Sequence, residues 1–210
     1  AVRAGTGKKV YLTFDDGPSK ETGKILDILQ KRQVKATFFS IGREDTFSKK
    51  MYQRIVNEGH TLGMHSYSHQ YKEIYQSMKT FQADYERISN CLTAATGIKP
   101  LYYRFPGGST EVAGKLQMAE LDAYFNAQGA SYFDWNVIAA NNTTDDVSVN
   151  KMVESVMNGV ALYDTSIVLL YDSVDRKMTA KSLDKILEQL INDGYEILPI
   201  DENTIPIHHS

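Results

Sequence analysis

The chain has 210 residues, 42% of them hydrophobic and 23% charged, with a formal net charge of -3; this suits one soluble domain and offers no electrostatic reason to bind nucleic acid. No apolar run approaches the roughly 20 residues that span a bilayer, so this segment is expected to make no membrane contact, and any signal or anchor is expected outside it. Cys91 stands alone, which excludes an internal disulfide framework and a cysteine-based zinc site.

From Lys8 onward, short β-type runs alternate with longer helical stretches, the α/β signature. Strands are predicted over 9–15, 36–41, 61–66, 101–105, 130–136, 166–172 and 195–200. Helices are predicted over 21–33, 46–58, 73–96, 111–127, 148–160 and 180–193, several ending in a glycine (Gly59, Gly97, Gly129, Gly194) placed to close the last turn. The clearest helix runs from Thr179 to Asp193, where Leu183, Ile186, Leu187, Leu190 and Ile191 form one apolar face. Cys91 is expected on the buried face of its helix, and Asp145-Asp146 is expected to cap the helix that follows near Ser148. Asn141-Asn142-Thr143-Thr144 twice fits a glycosylation pattern too short to carry weight. With no Pro/Gly/Ser-rich linker, residues 1–210 read as a single domain. Such an alternation folds as an open doubly wound sheet or as a barrel, and both gather functional groups at the carboxyl ends of the strands.

Polar residues collect there. Tyr11-Leu12-Thr13-Phe14 runs into Asp15-Asp16-Gly17-Pro18, where the Gly-Pro ends the strand. Neighbouring side chains on a strand face opposite ways, so two acids serve one site only where the backbone turns. A surface acidic turn has the same local sequence. His65-Ser66-Tyr67-Ser68-His69 follows the third predicted strand, two imidazoles at a spacing that one helical turn would bring to one face; exposed loop histidines are the bland alternative. Arg104 ends the fourth strand, Asp134-Trp135 the fifth and Tyr171-Asp172 the sixth. Asp16 with the two histidines makes a two-His, one-carboxylate set that suits zinc or another divalent cation and leaves positions open. Asp15 beside it is then a candidate general base, or else another ligand or a turn cap.

Thr13-Phe14-Asp15-Asp16-Gly17-Pro18, His65-Ser66-Tyr67-Ser68-His69 and Arg104-Phe105-Pro106-Gly107-Gly108 resemble the first three motifs of the polysaccharide deacetylase family, the NodB-homology domains of carbohydrate esterase family 4. Asp134-Trp135 and Leu169-Leu170-Tyr171-Asp172 fall where its fourth and fifth motifs belong. Within the family the chain is most similar to the peptidoglycan N-acetylglucosamine deacetylases of Gram-positive bacteria. The resemblance implies a distorted (β/α) barrel of about seven parallel strands with outer helices. It also implies a Zn2+-dependent enzyme, or one using another divalent metal such as Co2+, that removes acetyl groups from an N-acetylated glycan outside the cell or in its envelope. Asp16, His65 and His69 would hold the metal, and Asp15 would be the base, paired with Arg104. The Gly107 N–H would meet the oxyanion, and Trp135 and Leu169 would enclose the acetyl methyl. The fifth motif departs from the family: Tyr171 stands where a histidine tuned by the motif-four aspartate, here Asp134, would protonate the leaving amine. Three alternatives follow: Asp134 hydrogen-bonds the Tyr171 hydroxyl and the enzyme works slowly or differently; His208 or His209 of the tail supplies the acid, His60 being at the wrong end of its strand; or the domain is a catalytically silent metal- and glycan-binding domain of the cell envelope. A metal-dependent amidase for small amides is a further reading.

Overall fold

The computed structural model describes residues 7–139 and 147–210, so the Asn141–Thr144 and Asp145-Asp146 readings lie outside the described residues. Its strands are β1 (Lys9–Asp15), β2 (Thr37–Ser40), β3 (Thr61–Met64), β4 (Tyr102–Tyr103), β5 (Ser131–Tyr132), β6 (Val137–Ile138), β7 (Thr165–Tyr171) and β8 (Glu196–Ile197). They pair in the order β5-β4-β3-β2-β1-β7-β6, with β8 on β1 beyond that path. All the pairings are parallel. The helices are α1 (Thr22–Lys31), α2 (Thr46–Asn57), α3 (Tyr71–Ile74), α4 (Met78–Thr96), α5 (Ser109–Ala113), α6 (Met118–Gln128), α7 (Val149–Val160) and α8 (Met178–Asn192). The curled parallel sheet with helices is a distorted (β/α) barrel, so the open doubly wound alternative falls away.

Alternation along the two longest strands builds the two sides of the sheet. Val10, Leu12 and Phe14 of β1 and Val168 and Leu170 of β7 join the large core beneath the helices. Tyr11 and Ile167 instead join a small aromatic cluster with Phe39, Phe133 and Ile200. The period of two then puts Thr13 and Asp15, and opposite them in register Leu169 and Tyr171, on the side of that smaller cluster.

Two predicted helices are each split. The 73–96 stretch breaks into α3 and α4 because Ser77 and Thr80 form a capping box that starts a new helix. The 111–127 stretch becomes α5 and α6, with Gly114 at the C-cap of α5. Gly59, Gly97, Gly129 and Gly194 all have the positive φ expected of helix-ending residues. Cys91 is buried on α4, and Ser148 caps α7 by accepting from the Lys151 N–H. Ile191 departs from the expected apolar face, lying 44% exposed at the edge of the stripe while Leu183, Ile186, Leu187 and Leu190 are fully buried.

Candidate active site and metal centre

Asp15 ends β1 and is 3% exposed. Asp16 adopts a φ of +77°, and this left-handed turn brings the second acid round to the same site as the first. Asp172 supports the turn from below. Its N–H donates to the Asp15 carbonyl at 2.7 Å, and its carboxylate accepts from the Ser19 and Thr22 hydroxyls. Its side chain packs so closely on Gly17 that a Cβ there would come within 2.1 Å of Oδ2. Burial pushes the Asp172 carboxyl up to about 6.

The expected helical turn over His65–His69 is not formed. The segment is a loop with left-handed residues at Ser66 (φ +71°) and His69 (φ +57°). Asp84 of α4 holds it by accepting from the Tyr67 and Ser68 N–H groups, and Ser66 Oγ accepts from the His69 N–H. The loop still brings both imidazoles to one point. His65 Nε2 and His69 Nε2 each lie 3.3 Å from Asp16 Oδ1, with the three side chains offering one potential ligand atom apiece around a common point.

This donor set fits a cation. Asp16 Oδ1 is buried and makes no hydrogen bond, an arrangement costly for a carboxylate oxygen unless a positive charge meets it. His65 Nδ1 lies 2.7 Å from the Arg104 carbonyl; donation to that carbonyl turns the Nε2 lone pair of neutral His65 toward the acids. Burial opposes charge on the His65 imidazole, but Asp15 and Asp16 outweigh it and pull its pKa up. Burial would likewise raise Asp16; the two histidines overcome it and hold Asp16 well below the usual carboxylate range.

Arg104 is fully buried behind Asp15. Its Nη1 donates to Asp15 Oδ1 at 2.9 Å and to Thr13 Oγ1 at 2.7 Å, while Nε and Nη2 donate to the Phe133 and Asp134 carbonyls. With Oδ1 so engaged, Asp15 Oδ2 is left toward the metal set, 3.8 Å from His65 Nε2. Burial pushes Asp15 up, and Arg104 and His65 only partly pull it back; a carboxylate so placed is a stronger proton acceptor than one in water.

Phe105-Pro106-Gly107-Gly108 forms a tight turn closed by Gly108 N–H to the Phe105 carbonyl at 2.7 Å, with φ +80° at Gly107, as a Pro-Gly pair at the two central positions requires. A Cβ at Gly107 would come 3.0 Å from the ring of Tyr71, which packs edge-to-face with His69, so Tyr71 links this turn to the metal set. A Cβ at Gly108 would come 2.9 Å from Trp135, which packs against the smaller aromatic cluster. Leu169 is buried beside Thr13 in the β1–β7 register.

Asp134 is tied elsewhere than to Tyr171. Its carboxylate accepts from the Ser109 N–H and hydroxyl and from the His209 N–H at 2.8 Å. The tail histidines are also engaged: His208 stacks on Tyr132 with ring centroids 3.8 Å apart, and His209 Nε2 lies 2.6 Å from the Trp135 carbonyl. His60 sits at the opposite end of β3, where its Nδ1 accepts from the Ala36 N–H. Tyr171 itself is half-buried, and the Arg176 guanidinium lies 4.2 Å from its ring centroid. Burial raises the phenol pKa, Asp15 and Asp16 raise it further, and Arg176 and Arg104 oppose them. Asp84, Ser109 and Arg176 carried no sequence signal, since each acts through a fold-level contact; Asp172 was seen at the strand end without its supporting role.

The sequence profile described as polysaccharide deacetylase matches residues 3–125. The chain belongs to the polysaccharide deacetylase family. It superposes on the catalytic domain of peptidoglycan N-acetylglucosamine deacetylase from Eubacterium rectale with a TM-score of 0.88 and 33% identity, covering 100% of this chain and 96% of that one. A family 4 acetyl xylan esterase from Clostridium thermocellum, in complex with a cobalt ion, gives a TM-score of 0.72 at 28% identity over 91% of this chain and 88% of that one. Among curated relatives, the peptidoglycan-N-acetylglucosamine deacetylase PgdA of Listeria monocytogenes is 33% identical over 95% of this chain, which spans 40% of that protein's length.

Proposed function

We propose that this chain is a metal-dependent hydrolase that removes N-acetyl groups from N-acetylglucosamine residues of a cell-wall or chitin-like polysaccharide at the cell envelope. The observation that carries the reading is the buried Asp16 Oδ1, without a hydrogen bond and flanked by His65 and His69 Nε2 at 3.3 Å, with the Arg104-held carboxylate of Asp15 behind it. Asp16, His65 and His69 hold the cation, taken as Zn2+ or another divalent ion such as Co2+. When bound, it supplies Lewis-acid polarisation of the acetamide carbonyl and lowers the pKa of water.

The chain's own residues do the rest. Asp15 Oδ2 takes the proton of the attacking water, and Arg104 keeps that carboxylate ionised and aimed. The Gly107 N–H donates to the oxygen that gains charge. Trp135 and Leu169 enclose the acetyl methyl. Tyr171, opposite Asp15 in register, faces the departing nitrogen as a neutral phenol. A phenol held above its ordinary pKa is a weaker proton donor than an imidazolium, so turnover is slow beside that of an enzyme with histidine there.

The test is metal content measured with acetate release from a defined N-acetylglucosamine oligomer, in zinc and in cobalt, for the parent and for Tyr171→His. Acetate release that depends on metal supports the reading, and a gain in Tyr171→His identifies Tyr171 as the slow step. If the variant gains nothing, the acid lies elsewhere, and deletion of 207–210 then examines His208 and His209. The Tyr171 substitution itself favours a second reading, a catalytically silent glycan-binding domain. Oligomer binding without acetate release from either protein would establish that one.

A further inference from the structure

A groove of about 540 Å³ opens directly beside the metal set, lined by Asp16 and His69 at one end and by Tyr67, Gln70, Arg43 and Arg87 beyond them. Its walls are the loops after β2 and β3, with Arg87 projecting from α4. The Arg87 guanidinium lies 3.7 Å from the centroid of the Tyr67 ring. The ring in turn is crowded by the Gly42 backbone, where a Cβ would come within 2.0 Å of it. Gly42 N–H donates to the Tyr67 carbonyl, and Asp84 accepts from the Tyr67 N–H. Tyr67 is therefore a fixed support for a guanidinium rather than an open platform for a sugar ring.

The neighbouring acids are committed elsewhere. Glu44 lies 3.8 Å from Lys49 and accepts from the Tyr67 hydroxyl, and Asp84 serves the Tyr67 and Ser68 N–H groups. Among the described residues Arg43 and Arg87 have no carboxylate within ion-pair distance, and both are exposed. A groove lined both by the metal set and by two exposed guanidinium groups without a carboxylate partner, one of them centred over a tyrosine ring, has the chemistry of a carboxylate receptor.

We propose that Arg43, Tyr67 and Arg87 form a subsite for a carboxylate carried by the glycan next to the reacting sugar, so that the site prefers an acidic N-acetylated glycan to a neutral one. The inference rests on the deacetylase reading and narrows its substrate class. The carboxylate can belong to an ether substituent of the sugar or to a peptide attached to it. Both present the same planar acceptor to a guanidinium.

The experiment uses the zinc-loaded chain and three oligomers of equal length: neutral N-acetylglucosamine, the same backbone with ether-linked carboxylates, and that backbone with a peptide attached and the ether carboxylate consumed as its amide. For each, kcat/KM for acetate release and the dissociation constant by calorimetry are measured for the parent, Arg87→Gln, Arg87→Lys and Arg43→Gln. The expected result is a parent preference for one or both acidic oligomers that falls about tenfold in Arg87→Gln and is partly recovered in Arg87→Lys. Whichever acidic oligomer loses its advantage identifies the source of the carboxylate. A parent with no preference in rate or in binding, or a preference that survives in both glutamine variants, overturns the proposal. Absence of acetate release from all three oligomers defeats the deacetylase reading alone. The calorimetric preference and its loss in Arg87→Gln then decide the subsite separately.

Discussion

The two ends of β3 each carry a buried histidine, and they behave in opposite ways. His60, just before the strand, is 6% exposed, accepts a hydrogen bond from the Ala36 N–H and is pushed by burial down to about 4. His65, just after it, is 3% exposed and is pulled upward because Asp15 and Asp16 outweigh the same burial. Burial by itself makes a neutral, structural imidazole. Burial among carboxylates makes a place where positive charge is required, and in a parallel sheet that place lies at the carboxyl end, where the loops can supply left-handed turns such as Asp16, Ser66 and His69.

The contrast can be broken most strongly at Asp15. Replacing it with Asn removes the proton acceptor while leaving the metal set, so acetate release is expected to fall about 10²–10⁴-fold with zinc content unchanged. Loss of zinc in that variant would make Asp15 a ligand instead. Next comes its partner: Arg104→Leu leaves the Asp15 carboxylate buried without its guanidinium, and denaturant unfolding should show a loss of about 3–5 kcal/mol. A much smaller loss would mean that water reaches Asp15.

Metal sharpens the comparison between the two histidines. At about 1,000 times its dissociation constant, zinc should stabilise the folded chain by about 4 kcal/mol. Thermal melts with and without chelator should show this shift in the parent and in His60→Gln, and its loss in His65→Gln. Equal shifts in both variants would place the ion elsewhere.

The smallest effect belongs to His60 and appears in pH. Its folded pKa of about 4 lies below the ordinary 6.5, so between those values the unfolded chain binds the extra proton. His60 thus favours folding at neutral pH, and that contribution is lost as the pH falls from 6.5 through 4, by about 3 kcal/mol at most. The stability difference between parent and His60→Gln should change across this window. A constant difference from pH 4 to 7 would show that His60 titrates alike in both states.

The sequence by itself determined the strand-helix alternation, the four glycines that close helices, and the residues that meet at the rim, because each is written in local periodicity, turn chemistry or a short motif. Asp15-Asp16-Gly17-Pro18 and Phe105-Pro106-Gly107-Gly108 were legible as turns because proline and glycine restrict the backbone locally. The break at Ser77 was missed because a capping box competes with an otherwise continuous helical pattern, and Ile191 was misplaced because it lies at the edge of the apolar stripe, one residue from the end of α8. Only the tertiary structure decided the rest. It chose the barrel over the open sheet, replaced the expected helical turn at His65–His69 with a loop held by Asp84, and tied Asp134 to Ser109 and His209 rather than to Tyr171. Those ties join groups 17 to 75 positions apart, and no local pattern can encode which distant partner a carboxylate will find once the chain is packed.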